Sequence, residues 1–361
     1  MAYNYRMKKL EPFSVLKDKK ILVTGHTGFK GTWLTLLLEE YGSEVCGISL
    51  EPENGSLFDS LNRKGSICEY FVDIRSRNEL ETVIKKIKPQ IIFHLAAQPL
   101  VLKSYQNPVG TFETNVLGSA NLLDILVNLD STEIIAAATT DKVYENKNSG
   151  VRFKEDDPMR GSDPYSASKV GTESTISAWR KISQLKDGPR IISVRAGNVI
   201  GGGDTATNRL LPDLVKGFIK EKDVEIRNPD STRPWQHVLD PLHGYALAVM
   251  GSLSSTTQDA FNFGPIEKSM TVRDVVQVAE ESWPARSIIK FSNVESNAEA
   301  LTLELDSTLA QRELNWKPKW TQKEAIVSTI NWWKNTSQDH LSPLEACKID
   351  LEKLSIHDTQ L

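Results

Sequence analysis

Lys20-Ile21-Leu22-Val23-Thr24-Gly25-His26-Thr27-Gly28-Phe29-Lys30-Gly31 carries the architecture of this chain. A short apolar run stops at Gly25, and behind Gly31 a helical pattern begins with Trp33, Leu34, Leu37, Leu38 and Tyr41. Strand, glycine turn and helix together form the opening of a dinucleotide-binding unit, whereas glycines at this spacing alone would be a weak signal. The first glycine permits the tight turn, the second lets a pyrophosphate approach the backbone, and the third lets helix pack on strand. The N-terminus of the helix then offers free N–H groups to phosphates. A glycine-rich turn without a ligand is the plainer alternative, and the strand and helix around it argue against that.

The same alternation continues outward. Val45 to Leu50, Tyr70 to Ile74, Gln90 to Ala96, Glu133 to Thr139 and Arg190 to Arg195 read as further strands, and Asn115 to Asn128 as a helix between them. Strands alternating with helices of this length predict βαβ units and a parallel sheet. Their near-continuous apolar character predicts a sheet covered on both faces. After about Gly201 the rhythm changes. Short strands (Val224 to Arg227, Ser287 to Phe291) mix with helices, one over Met270 to Ala279 and one opened by the capping box Thr321-Gln322-Lys323-Glu324. The expected fold class is α/β: a Rossmann-type doubly wound parallel sheet over 18–200, with a smaller mixed α/β C-terminal substrate lobe over 201–336. Residues 1–17 read as an extension, and 337–361, polar and weakly patterned, as a tail.

Composition narrows the partners. With 361 residues the chain can build one long domain or two closely joined ones. Lys and Arg number 43 against 47 Asp and Glu, a net charge of -4 that gives no reason to propose nucleic acid or an anionic membrane. Cys46, Cys68 and Cys347 are far apart in sequence and odd in number. They make neither a disulfide framework nor a metal cluster, and the reading is a cytoplasmic protein without a metal site. No apolar run spans a bilayer, and the N-terminal basic residues have no apolar segment behind them, so neither a membrane anchor nor a signal peptide is expected.

The chemistry lies in two strings. Thr139-Thr140-Asp141-Lys142-Val143-Tyr144 ends the apolar run Ile134 to Ala138, so it places a carboxyl and an amine beyond the carboxyl end of a strand, where α/β folds keep their chemistry. Tyr165-Ser166-Ala167-Ser168-Lys169 puts a phenol and an ammonium on one helix face. That pair can take a proton from a hydroxyl while a nicotinamide takes the hydride. Oxidation needs only Tyr165 and Lys169; Asp141 and Lys142 point to an elimination as well. A surface Tyr and Lys is the plain alternative for the pair, and it weakens behind such a glycine turn. Ile48-Ser49-Leu50 stands where an acidic residue would bind the adenosine ribose, and no Arg there favours a 2′-phosphate. Asp73, with Ile74, is a contact for the adenine amino group or, equally, a cap for the following helix. His94 and His237 lack ligand partners at useful spacing and read as packing residues.

Gly25-x-x-Gly28-x-x-Gly31 with Tyr165-x-x-x-Lys169 resembles the extended short-chain dehydrogenase/reductase superfamily. Longer strings resemble its CDP-glucose 4,6-dehydratases: Thr24 to Gly31, His94-Leu95-Ala96-Ala97-Gln98-Pro99-Leu100-Val101, Asp141 to Asn146, Asp163 to Lys169, Val194 to Asp204, and Arg233-Pro234-Trp235-Gln236-His237-Val238. The resemblance covers about residues 18–334. It implies a tightly bound NAD, reduced and reoxidised in each turnover, with CDP-glucose as substrate. It implies cofactor contacts from Gly25, Thr27, Gly28, Phe29, Lys30, Gly31, Asp73, Ile74, Ala96, Ala97, Gln98, Asn115, Tyr165 and Lys169. Catalysis would fall to Thr140, Asp141, Lys142, Tyr165 and Lys169.

In that scheme Tyr165 is the base for the sugar 4-hydroxyl and Thr140 hydrogen-bonds the same hydroxyl. Asp141, kept protonated by burial, is the acid for the 6-hydroxyl. Lys142 stands where the related dTDP-glucose dehydratases carry Glu. It is either the base at C5 or a cation stabilising the enolate while another group takes the proton. Gln98, Asn198, Arg209 and Arg233 are the expected substrate contacts, the arginines for the diphosphate or else as structural ion pairs. A homodimer is expected through the helices near 107–128 and 164–182, with Val170, Ile176, Trp179 and Ile182 as apolar positions beyond one core face. A dehydratase of another nucleotide sugar or a nucleotide-sugar 4-epimerase is the nearest rival; an epimerase has no use for Asp141-Lys142. A non-catalytic NAD-dependent sensor has no use for Thr140, Tyr165 and Lys169 together.

Overall fold

The computed structural model describes residues 13–147, 150–284, 286–292, 303–339 and 341–358. Its centre is a seven-stranded parallel sheet built from β1 (Lys20–Thr24), β2 (Glu44–Ser49), β3 (Cys68–Phe71), β4 (Ile91–His94), β5 (Ile134–Thr140), β6 (Arg190–Ala196) and β7 (Ala260–Phe263). Their order across the sheet is β7-β6-β5-β4-β1-β2-β3. Winding reverses between β1 and β4, so the crevice beyond their carboxyl ends is where this topology binds ligands. The side-chain period of two explains the apolar runs. Ile21, Val23, Ile91, Phe93, Ile134 and Ala136 enter one buried layer, while Leu22, Ile92, Ile135 and Ala137 enter the layer on the opposite face.

The Phe29–Glu40 helix is buried along most of its length, because it lies between the sheet and the later part of the chain. Trp33 shows this: its indole N–H donates to Gly202 O at 3.1 Å. Past β6 come three two-stranded ladders, among them Val224–Arg227 beside Ile289–Ser292, with the helices Leu210–Lys220, Leu239–Ser254, Val272–Ser282, Thr308–Leu314 and Gln322–Ser337. This segment returns β7 to pair with β6. Among the described residues no helix is long and apolar enough to cross a membrane.

Several readings are corrected. The helix expected from Met270 starts at Val272, because Thr271 closes a capping box with Asp274 and pairs as a strand with Thr232. The helix expected from Asn115 continues an earlier helical run and opens as a π-turn over Glu113–Gly118. At Gly118 a Cβ would come 2.6 Å from the Ile74 side chain. The tail is a helix, Pro343–Asp358, which buries Cys347, Leu351 and Leu354 against the core. Its Asp350 reaches within 3.3 Å of His237, which stacks on Trp320. The N-terminal extension is not all outside the fold either: Phe13 and Leu16 are buried, and Phe13 stacks on Tyr41 with centroids 3.8 Å apart. Residues 1–12 lie outside the described residues. Cys46 and Cys68, distant in sequence, are register partners on β2 and β3. Burial, with Cys68 beside it, pushes the Cys46 thiol up to about 12.

Candidate active site

The glycine turn joins β1 to its helix with little freedom. Gly25 has φ +77, a region L side chains rarely adopt, and its N–H donates to Ile48 O at 2.7 Å. A Cβ at Gly31 would sit 2.0 Å from Gly25 O, so only glycine lets the helix seat on the turn. Gly28 is the N-cap and no acidic side chain occupies the first turn. The first turn of the helix is therefore a candidate anion site. Thr27 turns the other way, donating to Leu50 O at 3.1 Å and bonding Ser49 Oγ at 2.7 Å. Thus Ser49, where an acidic residue was absent from the sequence, is tied to the turn itself. The Phe29 ring lies against Gly201, and the Lys30 ammonium reaches the Tyr245 phenol at 3.4 Å. Burial pulls Lys30 down to about 8.

The other expected cofactor residues lie after β3, after β4 and on the helical run that follows. Ala96 packs on Gly25 and donates its N–H to Thr24 Oγ at 3.2 Å, and Ala97 follows it in the half-buried loop after β4. Asn115, buried, braces that loop: its Oδ1 accepts from Gln98 N–H at 2.7 Å and its Nδ2 donates to Ser168 Oγ at 2.9 Å. The Gln98 side chain is engaged by its own loop, with Leu100 and Thr111. Both oxygens of Asp73 are taken by Arg75, which holds its carboxyl below the usual range. The N-cap of the following helix is Ser76, so Asp73 is not the cap. Ile74 is buried beside Gly118.

β5 ends at Thr140, and one 3-10 turn, Asp141–Val143, follows. Thr140 is the N-cap of that turn. Its Oγ accepts from Lys142 N–H at 3.3 Å and donates to Asp141 Oδ1 at 2.8 Å. Asp141 is buried against the backbone after β6, where a Cβ on Gly197 would come 2.9 Å from Oδ2. Burial raises the Asp141 carboxyl in spite of the Lys142 and Lys30 charges and the Thr140 bond. Lys142 is half-exposed on the same turn.

Tyr165 opens the Pro164–Leu185 helix, whose start is fixed by Pro164 and by a capping box between Asp163 and Ser166. Its phenol is buried, and that burial pushes it up to about 12 in spite of Thr140 close by. Lys169, one turn on, donates to Ala138 O on β5 at 3.0 Å; burial pulls its ammonium down to about 8. Thr140 and Asp141 are thereby hydrogen-bonded at the end of β5, with Tyr165 near them and Lys169 of the same helix anchored to β5.

A layer behind this line escaped the sequence reading. Glu173, one further turn past Lys169, accepts from Thr139, Ser193 and Arg195, the last through Nε at 2.8 Å and Nη2 at 3.0 Å. Arg195 Nη1 also donates to the Tyr144 phenol at 2.8 Å, and Tyr144 donates to Asn262 on β7 at 2.7 Å. This buried pair ties the Pro164–Leu185 helix to β5 and β6 and, through Tyr144, to β7. Its sequence signal was a carboxylate at i+4 from Lys169 and an arginine inside an apolar strand.

The substrate candidates are spread more widely. Asn198 is exposed just after β6. Arg209 caps the Leu210–Lys220 helix and pairs with Asp204 at 3.1 Å. Arg233 is half-buried, donating to Thr232 O at 2.8 Å. His94 is a brace: its rings nitrogens bond Thr24 at 2.7 Å and Ser119 at 2.9 Å, and burial drives it down to about 3, so it stays neutral.

The family model described as GDP-mannose 4,6 dehydratase matches residues 22–329. A CDP-glucose 4,6-dehydratase of Salmonella typhimurium is 39% identical over 327 residues, 88% of this chain and 91% of that protein. Among solved structures, the UDP-glucose 4-epimerase of Thermus thermophilus in complex with NAD superposes with a TM-score of 0.76 at 24% identity, over 87% of this chain and 98% of the other. DesIV, a dTDP-glucose 4,6-dehydratase from Streptomyces venezuelae with NAD and TYD bound, gives 0.75 at 22% identity, over 90% and 99%. The structural likenesses establish the fold; the extent of the family match and of the Salmonella identity settle membership, and the chain belongs to the GDP-mannose 4,6-dehydratase family.

Proposed function

We propose that this chain is a CDP-glucose 4,6-dehydratase that uses NAD to form CDP-4-dehydro-6-deoxyglucose and water. The observation that carries the reading is the buried Asp141 carboxyl, raised by burial, bonded by Thr140 and placed beside the Tyr165 helix. A 4-epimerase needs Tyr165 and Lys169 but no acid beside them. The choice of cytidine rests on the 39% identity with the Salmonella enzyme and on Lys142.

The residues fit NAD. The glycine turn has no room for a Cβ at Gly31, and the uncapped helix end suits a pyrophosphate. When bound, NAD accepts the hydride of C4 and gives it back at C6. The chain's own groups do the rest. Tyr165 takes the proton of the 4-hydroxyl, with Lys169 lowering the cost of the phenolate. The C4 ketone makes the C5 proton acidic, and Lys142 acts there as base or as enolate-stabilising cation. Asp141 protonates the departing 6-hydroxyl. Arg233 and Arg209 are the candidates for the substrate diphosphate.

Incubation with CDP-glucose should give the alkaline absorbance of a 4-keto sugar. Faster turnover of dTDP-glucose or a GDP-sugar would overturn the cytidine assignment, and NADP working as well as NAD would overturn that of the cofactor.

We infer a homodimer as well, through the same two helical stretches as expected but with mostly other side chains. Ile176 is buried under the sheet, Trp179 packs beside it, and Val170 packs near Val143 and Tyr144. Of the four expected positions only Ile182 is exposed. The unpartnered apolar side chains are Leu102, Tyr105, Val109, Phe112 and Leu117, on the preceding helical run, with Ile182 and Leu185. Exposed large apolar side chains on helices that pack on each other suit an interface. Light scattering should give twice the chain mass, and Val109→Asp with Leu117→Asp should give a monomer; a monomeric parent protein would refute the dimer.

A further inference from the structure

We propose that Asp350, on the C-terminal helix, is a positioning residue for the substrate: acting through His237, it sets the strand that follows Arg233. The inference rests on the reading of Arg233 and Asn198 as substrate contacts. The family model matches residues 22–329, so the Pro343–Asp358 helix lies beyond it. That helix turns one stripe inward, in which Ala346, Cys347, Leu351 and Leu354 are apolar and Asp350, 3% exposed, is not. The apolar members are enough to dock it. Burying a carboxyl costs free energy unless it is paired, and a well-packed apolar residue in its place is often as stable. Docking alone therefore does not account for Asp350.

Its partners do. Ser328 Oγ, on the Gln322–Ser337 helix, donates to Asp350 Oδ1, and Oδ2 faces His237 Nε2 at 3.3 Å. Neither of these two atoms has a hydrogen-bond partner elsewhere among the described residues. His237 Nδ1 accepts the Leu239 N–H at 3.3 Å, so a neutral ring carries its proton on Nε2 and presents it to the carboxyl. The imidazole lies flat on Trp320, with centroids 4.4 Å apart, and edge-on to Trp33 at 6.0 Å. Lys353, three residues past Asp350, lies over the Trp320 ring at 5.3 Å. The C-terminal helix thus grips both rings of the stack.

His237 belongs to a ladder of two short parallel strands, Gln236–His237 beside Val199–Ile200, with His237 in register with Ile200. These strands lead from the two substrate candidates. Asn198 immediately precedes Val199, and Arg233 stands three residues before Gln236. Between them Trp235 N–H donates to Gln322 Oε1 at 3.3 Å, on the helix that also carries Ser328. Pinning His237 fixes the register of the ladder, and with it the separation of Arg233 from Asn198. A guanidinium that meets a diphosphate at two oxygens needs such placement, because the fork matches them in one orientation.

Asp350→Leu keeps the stripe apolar and removes the carboxyl. KM for the nucleotide sugar should rise about tenfold, the scale of one lost charge-assisted hydrogen bond. NAD affinity, kcat and the single-turnover rate of nicotinamide reduction at saturating substrate should stay at parent values, the pattern of lost binding rather than lost chemistry. Asp350→Asn should recover most of the loss, since its oxygen can face His237 and its amide the Ser328 hydroxyl. His237→Phe, which keeps a ring on Trp320, should raise KM alike, and adding Asp350→Leu to it should change nothing further. Ser328→Ala leaves the carboxyl in place but no longer aimed, and should raise KM by less. Leu354→Ala, which loosens the same helix without touching the carboxyl, should lower the thermal midpoint and leave KM unchanged. The comparison is made on whichever nucleotide sugar the parent protein turns over fastest, so a wrong base in the substrate assignment leaves it standing. A parent protein that turns over none would overturn the dehydratase reading, and this inference with it. Three results would overturn the inference alone: an unchanged KM in Asp350→Leu, no recovery in Asp350→Asn, or an equal rise of KM in Leu354→Ala.

Discussion

Asp141→Asn should oxidise its substrate and then stall. Tyr165, Lys169 and the glycine turn are untouched, so reduced nicotinamide should accumulate in a single turnover. The asparagine can still accept from Thr140, which keeps the turn in place, but it has no proton for the 6-hydroxyl. The steady-state rate should fall on the order of a hundredfold or more, as for loss of one general acid. Lys142→Ala should stall at the same stage for a different reason. Asp141→Asn should still exchange the C5 hydrogen with deuterated water, because deprotonation precedes loss of the hydroxyl. Lys142→Ala should lose that exchange. Normal exchange in Lys142→Ala would mean that another group removes the C5 proton and that Lys142 serves as a cation beside the enolate.

Tyr165→Phe should act one step earlier and produce no reduced nicotinamide at all on the timescale of the parent enzyme. The ring fills the same space and only a hydroxyl is removed. The cost to stability is therefore small, about 1 kcal/mol or less. Turnover should fall roughly a hundredfold to ten-thousandfold, the range for losing a positioned base. Thermal denaturation and NAD affinity measured beside the rate separate the two effects. Reduced nicotinamide forming at the parent rate would exclude Tyr165 as the base.

The parts of this site that were legible in sequence are those encoded by local spacing. The glycine turn was readable because Gly25, Gly28 and Gly31 sit between a strand and a helix, and the close contacts of Gly28 and Gly31 are with Gly25 and His26 of the same turn. Tyr165 and Lys169 share a helix face by periodicity alone. The ion pair of Glu173 with Arg195 was not readable, since it depends on the helix lying over β6 in one register. Ile176 and Trp179 were misassigned for a related reason: a helix covering a sheet uses a broad apolar face for the core, so width alone does not reveal an interface. The Pro343–Asp358 helix did carry a signal, Cys347, Leu351 and Leu354 at helical spacing, which the surrounding charges obscured. Cys46 and Cys68 meet only through the pairing of β2 with β3.

An internal redox cycle joined to an elimination is the central claim, and a labelled substrate tests it most directly. CDP-glucose carrying deuterium at C4 should be converted to a 4-keto-6-deoxy product with that deuterium at C6, and the cofactor should end the reaction oxidised. Deuterium found at C4 of an epimerised sugar, or lost to solvent without reaching C6, would contradict the account.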